Sequence, residues 1–232
     1  MQYSCIDKQL EELISILKKN HPLMEMLEYI AELRLPNFYI AAGCVFQTVW
    51  NYQDGRDLNY EVKDLDIIYY HPEDLSIDTD MKYYEMIQEY ARSHSIPYEV
   101  DVSNEARMHL WKEKKEGKKV LPYQNSEDAI GRWIATVHAI GITLEDGNIK
   151  VYAPYGLSDI FSRTIRPIKH SGNSKELYNK KEIATSFGET LSWEYLSYVR
   201  NNPIEWNVPT DILYAENDFL TSLETMTNFA NK

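Results

Sequence analysis

The sequence predicts an α+β fold in which a small mixed β-sheet is flanked by helices. Short apolar runs that are typical of strands alternate with longer runs whose apolar residues recur at helical spacing. The order is helix, strand, helix, strand, helix, strand, then mostly helix, which favours helices layered on a sheet. The 232 residues, 44% hydrophobic and 26% charged, suffice for one large domain with or without a smaller appendage.

The first half of the chain supplies two predicted strands. Residues 38–43 (FYIAAG) form a continuous apolar run that ends at a glycine. The later run KDLDIIYYH is rich in the β-branched and aromatic residues that strands prefer. In order, the predicted elements are helices over 7–17 and 23–33, a strand over 38–43, a helix over 44–54 and a strand over 63–71.

The second half is predicted to add a third strand and further helices. Tyr98, Val100 and Val102 alternate with polar residues, as in a strand with one buried face. Ser126 is followed by acidic residues, a pattern typical of a capping box at the start of a helix. In order, the remaining predicted elements are a helix over 80–94, a strand over 96–104, helices over 105–117 and 126–144, a strand over 148–154 and a helix over 156–167.

Charge and composition exclude several functional classes. The formal net charge is −12, and general nucleic-acid binding is not expected because it depends on Lys and Arg neutralising phosphates. No apolar run is long enough to span a membrane, and the N-terminus lacks the apolar stretch of a signal peptide. We therefore expect a cytoplasmic protein without membrane association. Cys44 lies in no metal-binding pattern and is predicted to be a small buried residue.

Two aspartates interrupt the second predicted strand. Residues two apart in a strand face the same side, so Asp64 and Asp66 point the same way. Neighbouring carboxylates raise each other's pKa unless a cation lies between them, and Mg²⁺ prefers carboxylate oxygens, water and substrate phosphates. The alternative is a solvated charged strand end with no ligand.

A third carboxylate would complete such a site. The polar face of the third strand offers Glu99 and Asp101, which are also two residues apart. Gly43, at the end of the first strand, would allow a triphosphate to approach the backbone at the start of the next helix. Together these features predict metal-assisted displacement at phosphorus.

An ordered series of motifs carries a family resemblance. The series is IAAGCVFQTVWN, DLDIIYY, VSNEARMHLW, PYQNSEDAIGRW and VYAPYGLSDIF, over about residues 20–181. It resembles a bacterial nucleotidyltransferase family of the DNA polymerase β-like superfamily. The resemblance implies a polymerase-β-like nucleotidyltransferase core that uses Mg²⁺ or Mn²⁺ and an NTP donor. It implies that Asp64 and Asp66 are the metal-binding pair, with Asp101 as the expected third carboxylate and Gly43 at the glycine turn.

Further residues in these motifs are candidates for nucleotide binding. Gln47 and Thr48 lie one turn into the helix after Gly43 and would line the nucleotide pocket, or would cap the helix. Arg107 is suited to bidentate phosphate contact, or pairs with a nearby acid. The tryptophans are predicted to belong to the core rather than to stack on bases: Trp50, Trp111 and Trp133.

Two departures from the superfamily pattern leave a rival interpretation open. The usual Gly-Ser turn is Gly43-Cys44 here, so the serine hydroxyl is missing. The assignment of the third carboxylate is divided between Asp101 and Glu99. The rival is a catalytically degenerate nucleotide-binding or protein-interaction module on the same fold.

The end of the chain has a different character. A polar linker predicts a boundary between a nucleotidyltransferase-like domain over 1–170 and an appendage over 171–232. The segment VPTDILYAENDFLTS resembles the late strand and acid loop of an α/β-hydrolase, with Asp218 at the position of the triad acid. No G-x-S-x-G motif occurs and no histidine follows Asp218, so serine-hydrolase activity is excluded. An unpaired TDILYA strand would favour a homo-oligomer.

The sequence therefore predicts a metal-dependent nucleotidyltransferase. Its catalytic residues would be Asp64, Asp66 and Asp101, with Mg²⁺ or Mn²⁺ as the metal and an NTP as the donor. The acceptor stays open between a small molecule, a protein side chain and an RNA end. The net charge argues modestly against RNA.

Overall fold

The fold was determined as a computed structural model that describes residues 5–117, 119–168, 173–184 and 189–190. Eight α-helices lie in these ranges, with a short 3-10 helix, Glu105–Arg107, before the fifth. The helices α1 to α8 span Cys5–Leu17, His21–Glu32, Gly43–Gln53, Ile77–Ser93, Met108–Glu116, Ser126–Gly131, Ser158–Ser162 and Lys175–Ala184. Within the described ranges no helix combines the length and the apolar character needed to cross a membrane.

A five-stranded mixed sheet forms the centre of the fold. Strands β1 to β5 span Tyr39–Ala41, Asp64–Tyr69, Glu99–Asn104, Gly141–Glu145 and Asn148–Tyr152. Their order in the sheet is β3-β2-β1-β4-β5, in which only the β2–β3 pair is parallel. Two short strands, β6 (Thr164–Ile165) and β7 (Glu189–Thr190), pair separately. The predicted α+β fold with a small mixed sheet flanked by helices is confirmed.

The two faces of the sheet are covered differently. One face buries Leu65 and Ile67 in the main core, together with apolar residues of α1, α2 and α3. The opposite face carries a smaller cluster in which Tyr39 and Ile68 pack against Ile130 of α6. Because side chains alternate along a strand, Asp66 shares this second face with Ile68. The thinner cover on this face leaves room for a cavity.

The predicted long helix over 126–144 is wrong after its first turn and a half. Helix α6 ends at Gly131, and the chain then turns before entering strand β4. Here Thr136 N donates to Arg166 O, and Ile168 N donates to Ile134 O. These tertiary hydrogen bonds take the place of intrahelical ones, since apolar spacing alone cannot distinguish a helix from a buried irregular segment.

A β-hairpin replaces the end of that predicted helix. Strands β4 and β5 pair antiparallel, with Glu145 opposite Asn148. The two residues between them, Asp146 and Gly147, have φ of 50° and 75°. Positive φ at both central residues is the geometry of a type I′ turn, for which Asp-Gly is a favoured sequence. The same region of the prediction also missed β6, since the helix predicted over 156–167 ends at Ser162.

Residues just beyond the predicted domain boundary pack onto the first unit. Tyr178 is 1% exposed and its hydroxyl donates to Ile165 O at 3.0 Å. The Asn173 side chain donates to Ile168 O at 2.8 Å. The boundary at residue 170 stays a prediction. The hydrolase-like segment with Asp218, the TDILYA strand and most of the predicted appendage lie outside the described residues.

Candidate active site

The aspartates predicted from the sequence lie side by side on strands β2 and β3. In the parallel register Asp66 is opposite Asp101, and Asp64 is opposite Glu99. All four residues share one face of the sheet because their positions alternate together along the paired strands. Asp66 is half-buried, whereas the other three are exposed. The register therefore brings Asp66 and Asp101 together as neighbours.

The turn between β1 and α3 lies beside these carboxylates. Ala41 is opposite Asp66 in the antiparallel β1–β2 pair, so the chain leaves β1 next to the aspartate. Ala42 then has φ of 54° and ψ of −119°, and its carbonyl accepts from Val45 N and Phe46 N. An alanine at this φ is strained, and the sharp turn was expected at Gly43 rather than at Ala42. The outcome is that the N-terminus of α3 begins directly at the carboxylate edge.

A cavity of about 390 Å³ opens on the same face of the sheet. Asp66 and Asp101 line it, whereas Asp64 and Glu99 do not belong to its lining. The remaining polar wall contains a third carboxyl group, three cationic side chains and an aromatic hydroxyl: Glu105, Lys112, Lys115, Arg132 and Tyr123. The cavity thus joins acidic and basic groups in a chain whose overall charge is −12.

Two of the cations are held around one buried tyrosine. Lys112 Nζ donates to the Tyr123 hydroxyl at 2.7 Å and lies 5.1 Å from its ring centre. The guanidinium of Arg132 lies 5.7 Å from the same ring, while its Nε donates to the fully buried Asp128 at 2.5 Å. Asp128 also accepts from Gln124 N at 3.0 Å. Lys112, Lys115 and Arg132 together are called the basic wall of the cavity, and these contacts hold Lys112 and Arg132 in place.

Glu105 is an acid that the folded protein keeps protonated near neutral pH. Its side chain is 5% exposed, and burial raises its pKa from 4.5 to about 8. Lys112 opposes this rise, whereas the charges of Asp101 and Asp66 add to it. The influence of both aspartates on Glu105 shows that negative charge is concentrated in this part of the cavity.

The donor set fits a hard divalent cation. Mg²⁺ in nucleotide sites is typically held by one or two carboxylates, with the remaining ligands supplied by water and substrate phosphates. Asp66 and Asp101 are such a pair, and the cavity gives a phosphate access to them. Within the described residues, no three acidic, histidine or cysteine side chains converge on one metal position. The residues therefore suit a metal that a nucleotide helps to hold.

The remaining predicted nucleotide-binding residues are placed as follows. Gly43 and Gln47 are half-buried, one turn apart on α3. Thr48 is fully buried; its hydroxyl donates to Cys44 O at 2.7 Å and accepts from Asn20 at 3.0 Å. These bonds give Thr48 the structural role that the sequence had left open as its alternative.

Arg107 is likewise engaged within the protein. Its guanidinium donates to Asp80 at 2.7 Å, and the Tyr69 hydroxyl donates to the same carboxylate at 2.6 Å. Tyr69 faces the side of β2 opposite to Asp66, because the two residues are three positions apart. Arg107 thus makes the ion pair that was the alternative to phosphate contact, and it is not part of the cavity lining.

Cys44 is buried, as predicted. Its thiol donates to Ala41 O at 3.4 Å and is fully excluded from solvent. Burial, with a smaller contribution from Asp66, raises the pKa of the thiol well above its usual value. The thiol therefore packs under the turn rather than presenting itself to a ligand.

Sequence reasoning missed most of the basic wall. Lys112 and Lys115 lie in the charged run KEKKEGKK, which is typical of a solvated helix surface. Trp111 was predicted to belong to the core but is 44% exposed and lines the cavity, with Lys115 Nζ 4.2 Å from its ring centre. Trp50 is buried as predicted. Lys115 follows Lys112 by three residues and Trp111 by four. This spacing of about one helical turn was the available sign that Lys115 lies close to both.

Comparison with known proteins identifies the family of this chain. The family model described as Nucleotidyltransferase matches residues 28–197, which is most of the chain. The chain belongs to this nucleotidyltransferase family. A solved NMR structure, described as revealing a CCA-adding enzyme head domain, superposes on this nucleotidyltransferase with a TM-score of 0.66. It is 22% identical in sequence, and the match covers 78% of this chain and 95% of that one. No curated protein matches significantly.

Proposed function

We propose that this nucleotidyltransferase transfers an NMP from an NTP to an acceptor in a reaction that depends on Mg²⁺ or Mn²⁺. The observation that carries the proposal is the pairing of Asp66 with Asp101 in the lining of a cavity that also contains Lys112, Lys115 and Arg132. Carboxylates that hold a metal and cations that bind anionic groups of the substrates are the two sets of groups that nucleotidyl transfer requires.

The residues would have different roles that follow from their positions in the fold. Asp66 and Asp101 would hold the metal, which when bound neutralises triphosphate charge, and Asp64 would lie beside this pair at the exposed start of β2. The N-terminus of α3 offers backbone N–H groups and a favourable dipole to the phosphates. Asp101, on the edge strand β3, would accept the proton of the attacking acceptor group. Catalysis would rest on positioning and electrostatics.

The rival candidate is a nucleotide-binding module that has lost catalysis. It is supported by Cys44, whose buried thiol bonds to Ala41 O at a position where the superfamily pattern has a serine hydroxyl. This candidate predicts metal-dependent NTP binding without pyrophosphate release.

Calorimetric titration with each NTP, with and without Mg²⁺ or Mn²⁺, tests the proposal. We expect metal-dependent binding in the wild type that is weakened at least tenfold by Asp66→Asn and by Asp101→Asn. Glu99→Gln is the matched control, because Glu99 shares the strand face of Asp101 but lies outside the cavity lining. Equal binding by all variants would contradict the proposed metal site. Binding without labelled-NMP transfer to any acceptor would favour the rival.

A further inference from the structure

We propose that the acceptor is a small anionic molecule, whose phosphate or carboxylate group binds between Lys112 and Arg132. The proposal rests on the proposed nucleotidyl transfer and adds the chemical class of its second substrate. It follows from three features of the cavity: the position of the basic wall, its rigidity and its charge.

The basic wall adjoins Tyr70, which follows the end of β2. Strand β1 runs antiparallel to β2, so the turn at Ala42 adjoins Asp66 near the beginning of β2. Tyr70 follows the end of β2, and its hydroxyl donates to Tyr123 O at 2.9 Å. Tyr70 is four positions after Asp66, which corresponds to about 13 Å along an extended chain at about 3.3 Å per residue. A triphosphate bound at the α3 N-terminus would thus leave the wall near Tyr123 for another group.

The connectivity of β3 brings Lys112 and Lys115, the α5 part of the basic wall, to the β3 side of the sheet, whereas Arg132 follows α6. Strand β3 is one edge of the sheet, and the chain continues from it through Glu105 into α5, which carries Lys112. In the sheet, Asp66 on β2 therefore lies between the α3 turn on β1 and the α5 side on β3. A donor held at α3 and an acceptor held at α5 would meet at the aspartates.

The wall is built to hold an anion. Lys112 Nζ lies 5.1 Å and the Arg132 guanidinium 5.7 Å from the centre of the Tyr123 ring, so both cations attract an anion that binds beside this ring. Arg132 uses Nε for Asp128, and in the described part of the chain its two terminal amino groups bond to no residue. Those groups are arranged to receive a carboxylate or phosphate with two parallel hydrogen bonds.

The charges next to the basic wall determine the charge of the anion that it can bind. Asp128 compensates Arg132, and burial raises the pKa of Glu105 to about 8 despite the charge of Lys112, so that Glu105 is mostly protonated at pH 7. Lys115 adds a further positive charge to the lining. One monoanionic or dianionic group thus balances the wall, whereas the net charge of −12 disfavours a long polyanion such as RNA.

The test uses full-length protein saturated with Mg²⁺ and a non-hydrolysable NTP analogue, titrated with inorganic phosphate and, separately, with acetate. We expect saturable binding of at least one anion, weakened at least tenfold by Lys112→Met. Lys114→Met is the matched control, since Lys114 lies on α5, is exposed and is outside the cavity lining. Arg132→Gln should act like Lys112→Met, and Lys112→Met keeps the test valid if loss of Arg132 unfolds the protein around Asp128. Preference between phosphate and acetate identifies the anionic group.

Three results would overturn the inference. Lys112-dependent binding of phosphate to the nucleotide-free protein, but not to the saturated protein, would make the wall part of the NTP site, leaving the proposed function intact. Lys112-dependent binding of an oligoribonucleotide tighter than that of phosphate would replace the small acceptor by RNA. Absence of binding by both anions to either form of the protein would remove the site. Failure of the proposed function can be distinguished from failure of this inference, because the NTP analogue itself would then show no metal-dependent binding.

Discussion

The Glu105 carboxyl makes stability depend on pH. Its pKa is raised from 4.5 in the unfolded chain to about 8 in the folded protein, mainly by burial. Between these values the unfolded chain releases the proton and the folded protein retains it. The stability that the folded protein gains by retaining this proton is therefore fully present below pH 4.5, falls as pH rises, and is lost above about pH 8.

Glu105→Gln should remove this dependence. Relative to wild type, we expect the variant to gain stability on the order of a few kcal/mol between pH 5 and pH 8.5, measured by urea denaturation without metal. The exposed Glu99→Gln serves as the control and should keep the wild-type profile. A Glu105→Gln variant with the wild-type pH profile would show that Glu105 ionises normally.

Ala42 is the second residue with a specific energetic prediction. Its φ of 54° and ψ of −119° suit glycine, which has no Cβ to clash. Relief of strain should exceed the entropy cost of glycine, so Ala42→Gly should raise the free energy of unfolding by about 1 kcal/mol. Thermal or urea denaturation measures this. A loss of stability would mean that the turn tolerates alanine without strain.

Sequence reasoning reached only part of the site at this scale. Strand alternation alone placed Asp64 with Asp66 and offered Asp101 and Glu99, because a period of two is preserved in folded strands. Glu105, Tyr123 and Arg132 could not be found in this way. Their proximity depends on how α5 and α6 fold over the sheet, which no local pattern contains.

Strand β4 contributes one position where only glycine fits. A Cβ on Gly141 would lie 2.8 Å from Ile130 Cδ1 and 3.0 Å from the Tyr39 ring. Gly141→Ala should therefore lower the free energy of unfolding by about 1–3 kcal/mol, as measured by urea denaturation.

Gly43→Ala is the control for this substitution. Its Cβ would meet nothing closer than the Gln47 amide at 3.8 Å, an ordinary contact on a helix. We expect no loss of stability there. Equal losses of stability at Gly141 and Gly43 would show that the close contacts of Gly141 with Ile130 and Tyr39 are not the cause.

The elements that were predicted correctly carry strong local patterns, and those that were missed do not. Strand β3 alternates clearly, and α4 is preceded by the N-cap Ser76, whose hydroxyl accepts a hydrogen bond from Thr79 N. The segment after α6 is apolar at near-helical spacing, but Ala135 pairs with Pro167 and the chain turns instead. Tertiary pairing there outweighs the spacing of the apolar residues.

Electrostatics governs the behaviour of the whole molecule. With a net charge of −12, the protein should show no measurable binding to random-sequence RNA or duplex DNA at physiological salt. Fluorescence anisotropy with labelled oligonucleotides measures this. Tight binding that weakens steeply with added salt would contradict the prediction and reveal a basic surface in the folded chain.

The proposed function depends most on Asp66 and Asp101 acting as one metal site within a family whose reaction is nucleotidyl transfer. A crystal structure with Mn²⁺ and a non-hydrolysable NTP analogue tests this directly, because manganese is located by its anomalous signal. We predict a manganese ion bound by carboxylate oxygens of both aspartates and by the triphosphate. An ordered nucleotide without manganese at Asp66 and Asp101, or with manganese at other residues, would contradict the account.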